Sequence, residues 1–181
     1  MSRSIIQNIE LKNLAHYDAL TKLTNRMLFL DRVNRSIERS QREHNQFALI
    51  FIDLNDFKEL NDTLGHAAGD KALIHLANVL QSSVRTTDTA ARLAGDEFVI
   101  LAENIKSEDD IEVLLGRIAS ALDKPLSLNN VSWHLSISQG VSVYPRDGGT
   151  TEKLLEVADE RMYQNKQSMK ELTRLSAEVN G

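Results

Sequence analysis

The sequence contains no cysteine. That absence excludes disulfides, cysteine-ligated zinc and a thiol nucleophile, and it suits a reducing cytoplasm. Long apolar runs are missing as well, with nothing near the roughly 18 to 20 residues that a membrane-spanning helix needs. Met1-Ser2-Arg3-Ser4-Ile5-Ile6 is too short in apolar character to be a signal peptide. We therefore expect a cytoplasmic domain without direct membrane contact; if it is tied to a membrane, another chain or another segment of a longer protein must do it. An excess of positive charge is also lacking: 21 lysines and arginines stand against 26 aspartates and glutamates, a net charge of −5. Phosphate backbones reward clustered lysine and arginine, so nucleic acid is not an expected partner. A single nucleotide stays open, because it needs only a few local cations.

Several motifs are missing too. There is no glycine-rich lysine-serine phosphate loop and no dinucleotide glycine fingerprint. His66 lacks the spacing of a zinc site, and no serine sits in a nucleophile elbow. No repeat, low-complexity tract or linker divides the 181 residues, which read as one domain.

What is present alternates helix and strand patterns. Ile6, Ile9, Leu11 and Leu14 have loose helical spacing, either a fraying N-terminal helix or the end of a helix from an upstream domain. Beyond a polar stretch over 18–26, a helix running to about Arg42 carries Leu30, Val33 and Ile37 on one face. The apolar run 47–52, ending at Asp53, predicts a central strand buried on both faces. Residues 63–70 read as a turn, with Asp70 capping a helix that carries Leu73, Leu76, Ala77, Leu80 and Val84. Segments 90–93 and 98–101 flank Ala94-Gly95-Asp96-Glu97 as a hairpin. Ser107 and Asp110 suggest a capping box for a helix through about Leu122. Segments 131–137 and 140–144 read as strands, and a last helix from about Thr151 buries Leu154, Leu155, Ala158 and Met162. This order predicts an α/β (α+β) fold, a mixed sheet covered by helices.

Two acidic loops carry the chemistry. In Asp53-Leu54-Asn55-Asp56-Phe57-Lys58 a buried strand ends in a carboxylate, and a lysine follows five residues later. Carboxylates on a rigid strand end suit magnesium, which keeps phosphate oxygens among its remaining ligands. Asp96 and Glu97 sit on the tight hairpin. Either loop alone could be a solvated turn. Strands lying side by side would let their carboxylates converge on one metal. Lys166 and Lys170, four apart on the last helix, are surface lysines or partners of a triphosphate.

These residues resemble the diguanylate cyclase family named for its Gly-Gly-Asp/Glu-Glu-Phe signature. The likeness runs from about Leu14 to Lys170 through blocks in the family's order: Asp18-Ala19-Leu20-Thr21 with Asn25-Arg26, Asp53 through Lys58 with Asn61-Asp62, and Gly65-His66 with Gly69-Asp70. Arg92 with Ala94 through Phe98, Ser138 with Gly140, and Ala158-Asp159 with Tyr163 and Lys166 complete it. The resemblance implies a five-stranded mixed sheet like that of nucleotidyl cyclases and polymerase palms. It places a connecting helix at 1–17, the GGDEF domain at 18–172 and a tail at 173–181.

The implied activity is magnesium-dependent (manganese is possible) condensation of two GTP into cyclic di-GMP, with two pyrophosphates released across a homodimer. By the resemblance, Asp53 and Asp96 bind metal through carboxylates, Leu54 binds it through its carbonyl, and Glu97 binds metal or helps deprotonate the ribose hydroxyl. Asn61 and Asp70 read guanine. Lys58 and the backbone N–H groups of Asp56 and Phe57 hold terminal phosphates, with Lys166 and Lys170 adding charge. Arg85-Thr86-Thr87-Asp88 matches the family's product-inhibition site, with arginine suited to grip phosphate or a guanine edge. The alternative is a catalytically weak or silent GGDEF domain that binds GTP or cyclic di-GMP and regulates an attached or partner domain such as a phosphodiesterase. Under either reading a sensor or phosphodiesterase domain is expected to be attached in a longer protein.

The chain departs from the family at several positions. Ala94 replaces a glycine, which costs about 1 kcal/mol if the position needs positive φ and otherwise only adds a methyl group. Lys22 and Thr24 replace glycine and proline, and Asn55 replaces a common aspartate. Gln139 stands where an apolar residue is usual, and Met169-Lys170-Glu171 replaces glycine-arginine-asparagine.

Overall fold

The computed structural model describes residues 3–180, and Met1, Ser2 and Gly181 lie outside them. The elements are α1(Arg3–His16), α2(Arg26–Glu43), β1(Gln46–Leu54), α3(Phe57–Leu64), α4(His66–Ser83), β2(Thr89–Ala94), β3(Glu97–Ile105), α5(Glu108–Leu122), β4(Leu126–Leu128), β5(Val131–Trp133), β6(Ile137–Tyr144) and α6(Thr151–Asn180). The main sheet has the order β2-β3-β1-β6, so the most apolar strand sits inside it, as its sequence predicts.

Strand alternation divides β1 between two helical layers. Ala48, Ile50, Ile52 and Leu54 pack with α4 and α5 residues such as Leu76, Leu80, Ile111 and Ile118. Phe47 and Leu49 pack on the other side with Phe29 and Val33 of α2 and Leu154 of α6, and Phe51 meets Ala158 and Met162. Asp53 continues the second series. The period of two therefore aims it toward α6, and the chemistry depends on that direction.

The structure revises several expectations. Among the described residues the main sheet has four strands instead of five, and its strand pairings are antiparallel instead of mixed. A parallel bridge joins Thr24, which lies outside the named strands, to Ala91 of β2. The segment expected as one strand over 131–137 is split: β5 pairs with β4 as a separate two-stranded sheet, and β6 begins at Ile137. The expected turn at 63–70 is a junction between two helices, since Gly65 at φ 90 ends α3 and α4 starts at His66. Asp70 is consequently inside α4 and does not cap it. Asp110 accepts from the N–H of Lys106, one residue before the cap, and Ser107 makes no side-chain cap, so the expected reciprocal pair of bonds is replaced by this single one.

Asn25 caps α2, accepting from Leu28 N–H at 3.0 Å while its amide donates to the Ala15 carbonyl. The N-terminal helix exists, but Ile6, Ile9 and Leu11 on it are exposed, and the side chain of Leu14 lies outside the described residues. At the other end α6 continues unbroken past residue 172. Among the described residues no helix is long and apolar enough to cross a membrane.

Candidate active site

Asp53 and the hairpin tip meet at one end of the sheet. Asp53 is paired in register with Glu97 on one side and Ser138 on the other, so all three lie on the α6 face. The N–H of Leu54 donates to the Asp96 carbonyl at 3.4 Å. From α6, Lys166 Nζ donates to Asp53 Oδ2 at 2.6 Å, whereas Asp53 Oδ1 is buried without a hydrogen-bond partner. An unpartnered buried carboxylate oxygen is costly and marks a place where a ligand fits.

The electrostatics agree. Burial, followed by the neighbouring Asp53 carboxyl, pushes Asp96 up to about 6. Glu97 is raised by burial and by the charges of Asp159 and Asp53, against which Arg26 and Lys166 act. Asp159 is raised by burial and by Asp53. Four acids in one neighbourhood disfavour each other's charge, which a bound cation would relieve.

Among the described residues, no three histidine or acidic side chains form a ready metal cage. Magnesium needs less, because it is commonly held by one or two carboxylates together with substrate phosphates. Asp53, with its orphaned oxygen, and Asp96 fit that donor set.

Beside these acids lies an open cleft of about 470 Å³ lined by Leu54, Asp56, Phe57, Lys58, Asp96, Lys166 and Lys170, among others. Asp56 has φ 56 and precedes α3, whose first N–H groups are the unpaired donors that anions favour at a helix start. A smaller cleft of about 160 Å³ adjoins it and shares Asp56, Lys166 and Lys170. Asn55 replaces charge with structure: its amide donates to Ser136 Oγ at 3.1 Å and its oxygen accepts from Ser138 Oγ at 2.6 Å. It thereby straps the acidic loop to the start of β6. Gln139 is half-buried beside Ile52 on the opposite face from Ser138.

Asn61 and Asp70 do not line the large cleft. Asn61 Oδ1 is buried and unpartnered, against Gly69: a Cβ there would stand 1.8 Å from it. Glycine at 69 is what leaves room for the amide. Asp70, the next residue on α4, is exposed.

The altered signature residue is answered by geometry. Gly95 carries the positive φ of the hairpin, at 48°, and Ala94 is not among the positive-φ residues. Alanine there adds an exposed methyl group and no backbone strain. Lys22, another residue that stands in place of a glycine, does carry strain, with φ 63.

Arg85 and Asp88 meet at the far end of α4. Asp88 Oδ2 accepts from the Arg85 backbone N–H at 2.9 Å and from its Nε at 3.4 Å. They line a cavity of about 100 Å³ together with Arg117 of α5. The sequence alone assigns no role to Arg117, Asp159 or Arg26. Asp159 and Arg26 stand within motif blocks, which was a usable signal; Arg117 had none, because only packing brings α5 to this turn.

A model of the family described as "Diguanylate cyclase, GGDEF domain" matches residues 15–172. The chain belongs to the GGDEF family. This GGDEF domain is 41% identical over 159 residues to the bifunctional diguanylate cyclase/cyclic di-GMP phosphodiesterase MucR of Pseudomonas aeruginosa, covering 88% of this chain and 23% of that protein. It is 37% identical to the diguanylate cyclase TpbB of the same species, covering 96% of this chain and 40% of TpbB. The chain thus spans less than half the length of either relative. The solved GGDEF domain of TpbB superposes with a TM-score of 0.81 at 36% identity, covering 84% of this chain and 90% of that one. The GGDEF domain of DgcB from Caulobacter crescentus, solved in complex with c-di-GMP, gives 0.78 at 26% identity, covering 85% and 91%.

Proposed function

We propose that this GGDEF domain is a diguanylate cyclase that condenses two GTP into cyclic di-GMP and releases two pyrophosphates across a homodimer. The observation that carries this reading is the meeting of Asp53 and Asp96 beside the lysine-lined cleft, with Asp53 Oδ1 left unpartnered. Asp53 and Asp96 hold Mg2+ (or Mn2+) through carboxylates and Leu54 through its carbonyl, with Glu97 beside them as a further ligand or proton acceptor. A cation bound there supplies charge neutralisation and acidifies the ribose 3′-hydroxyl.

The remaining residues bind and orient. Lys58 and the N–H groups of Asp56 and Phe57 hold the terminal phosphates at the start of α3. Lys166, already at this edge, moves from Asp53 to phosphate oxygen, and Lys170 adds charge across the same cleft. Asn61 and Asp70 read the guanine edge, where acceptor oxygens meet ring and amino N–H donors. Arg85 and Asp88 bind cyclic di-GMP and restrain the reaction. Ala94, free of backbone strain, is compatible with turnover.

A second reading is a silent domain that binds GTP or cyclic di-GMP and regulates an attached one. The observation favouring it is that a relative named as a cyclic di-GMP phosphodiesterase, NbdA of Pseudomonas aeruginosa, matches 86% of this chain at 35% identity. Chromatography of nucleotides after incubation with GTP and magnesium, at low and high protein concentration, separates the two. Cyclic di-GMP rising more than proportionally with protein supports a dimeric cyclase. Bound GTP without product, in demonstrated dimers, supports the silent domain.

A further inference from the structure

Glu103 is a charged residue only 8% exposed, near the end of β3. A buried carboxylate is costly unless partners meet it, and here both come from α2. Ser36 Oγ donates to one oxygen and Arg39 Nη2 pairs with the other, each at 2.5 Å. The main chain of Glu103 works in a different direction. Its N–H donates to Asp88 Oδ1 at 3.0 Å, and its carbonyl accepts from Arg85 Nη2 at 2.8 Å. One residue therefore bonds both members of the Arg85–Asp88 pair while α2 holds its side chain. Arg32, also on α2, donates to Thr89 Oγ1 at 3.0 Å just beyond the pair.

We propose that Glu103 is the positioning residue of the Arg85–Asp88 site, setting through its main chain the geometry in which that pair receives a cyclic guanine dinucleotide. The inference rests on the product-binding reading above. It adds the device that presets the site: a carboxylate anchored on α2. Arginine recognises phosphate or a guanine edge through a planar fork whose direction matters as much as its charge. Freeing the Glu103 side chain loosens the two main-chain bonds that aim the fork.

The test is calorimetric titration of cyclic di-GMP into the wild type, Glu103→Ala, Glu103→Gln, Ser36→Ala and Arg85→Ala, with thermal melts run alongside. Glu103→Ala is expected to weaken binding by about tenfold or more, as loss of a buried hydrogen-bonded charge does. Glu103→Gln, which keeps an acceptor for Ser36, is expected to recover most of the affinity. A purely structural role would lower the melting temperature without this ordering of affinities. Ser36→Ala removes one anchor with minimal change of volume; it is expected to weaken binding severalfold and carries the test if Glu103→Ala does not fold. Wild-type affinity in the Glu103 and Ser36 variants, with binding lost in Arg85→Ala, overturns this proposal and leaves the product-site reading standing. Absence of binding by the wild type, or full binding by Arg85→Ala, overturns the product-site reading and the proposal with it.

Discussion

Substituting Gly140 with alanine isolates the contact that seats α6 on the sheet. Gly140 lies on β6 opposite Phe51, beneath α6, and a Cβ built on it would stand 2.1 Å from the Ala158 carbonyl oxygen and 2.2 Å from the Met162 nitrogen. Ordinary contact begins more than an ångström farther out. Both obstacles belong to helix backbone, so no side-chain rotation can make room; the helix or the strand must shift. Overpacking of a well-filled interior costs typically about 1–3 kcal/mol, and the upper end applies where the obstacle is main chain. For a chain of this size about 3 kcal/mol corresponds to a fall of roughly 6–12 °C in Tm. Urea denaturation followed by circular dichroism gives the free energy directly. Gly116→Ala is the control: nothing lies within 4 Å of the added carbon, and α5 is continuous there. It is expected to gain about 0.5–1 kcal/mol from helix propensity. A loss in Gly140→Ala below about 0.5 kcal/mol would falsify the close-approach account, because overpacking against two backbone atoms cannot be that cheap.

Three further outcomes are expected. Asp53→Ala should abolish magnesium-dependent GTP turnover and release Lys166 from its 2.6 Å ion pair while leaving the circular dichroism spectrum intact; unchanged turnover would sink the metal assignment. Asp96, about 6 in the folded chain against an ordinary 3.8, takes up a proton on folding between those values. Its contribution to metal-free stability is therefore present below pH 3.8 and lost as pH rises through about 6, and divalent-cation affinity should strengthen over that same interval. Manganese binding followed by electron paramagnetic resonance checks this, and an affinity flat across the interval would contradict it. Lys22→Gly should stabilise the chain: left-handed backbone costs a non-glycine residue roughly 1–2 kcal/mol, partly offset by about 0.4–1 kcal/mol of extra unfolded-state freedom. A lower urea midpoint would mean that the Lys22 side chain makes a compensating contact.

The layers of the fold were legible because alternation and helical spacing are local. Residues 47–52 announced a strand apolar on both faces, and β1 packs between two layers of helices. The hairpin around Gly95 was legible for the same reason. Residues 63–70 misled, since one glycine with positive φ joins two helices as readily as it makes a turn. Sheet membership misled as well: residues 131–133 are strand, but pairing with 126–128 took them out of the main sheet. Strand propensity does not name a partner.

The sequence by itself determined which residues could do chemistry. It placed carboxylates at the end of a buried strand and at a hairpin tip, a lysine after the first, and two more a helical turn apart on the last helix. The tertiary structure decided which of them meet. Lys166 reaches Asp53 across 113 residues of chain, and Glu103 joins Ser36 across 67. It also decided that Ala94 is unstrained while Lys22 is not. Backbone period and side-chain chemistry act over a few residues and can be read along the chain. Convergence, burial and the resulting charge coupling depend on distances through space, which exist only once the helices have packed on the sheet.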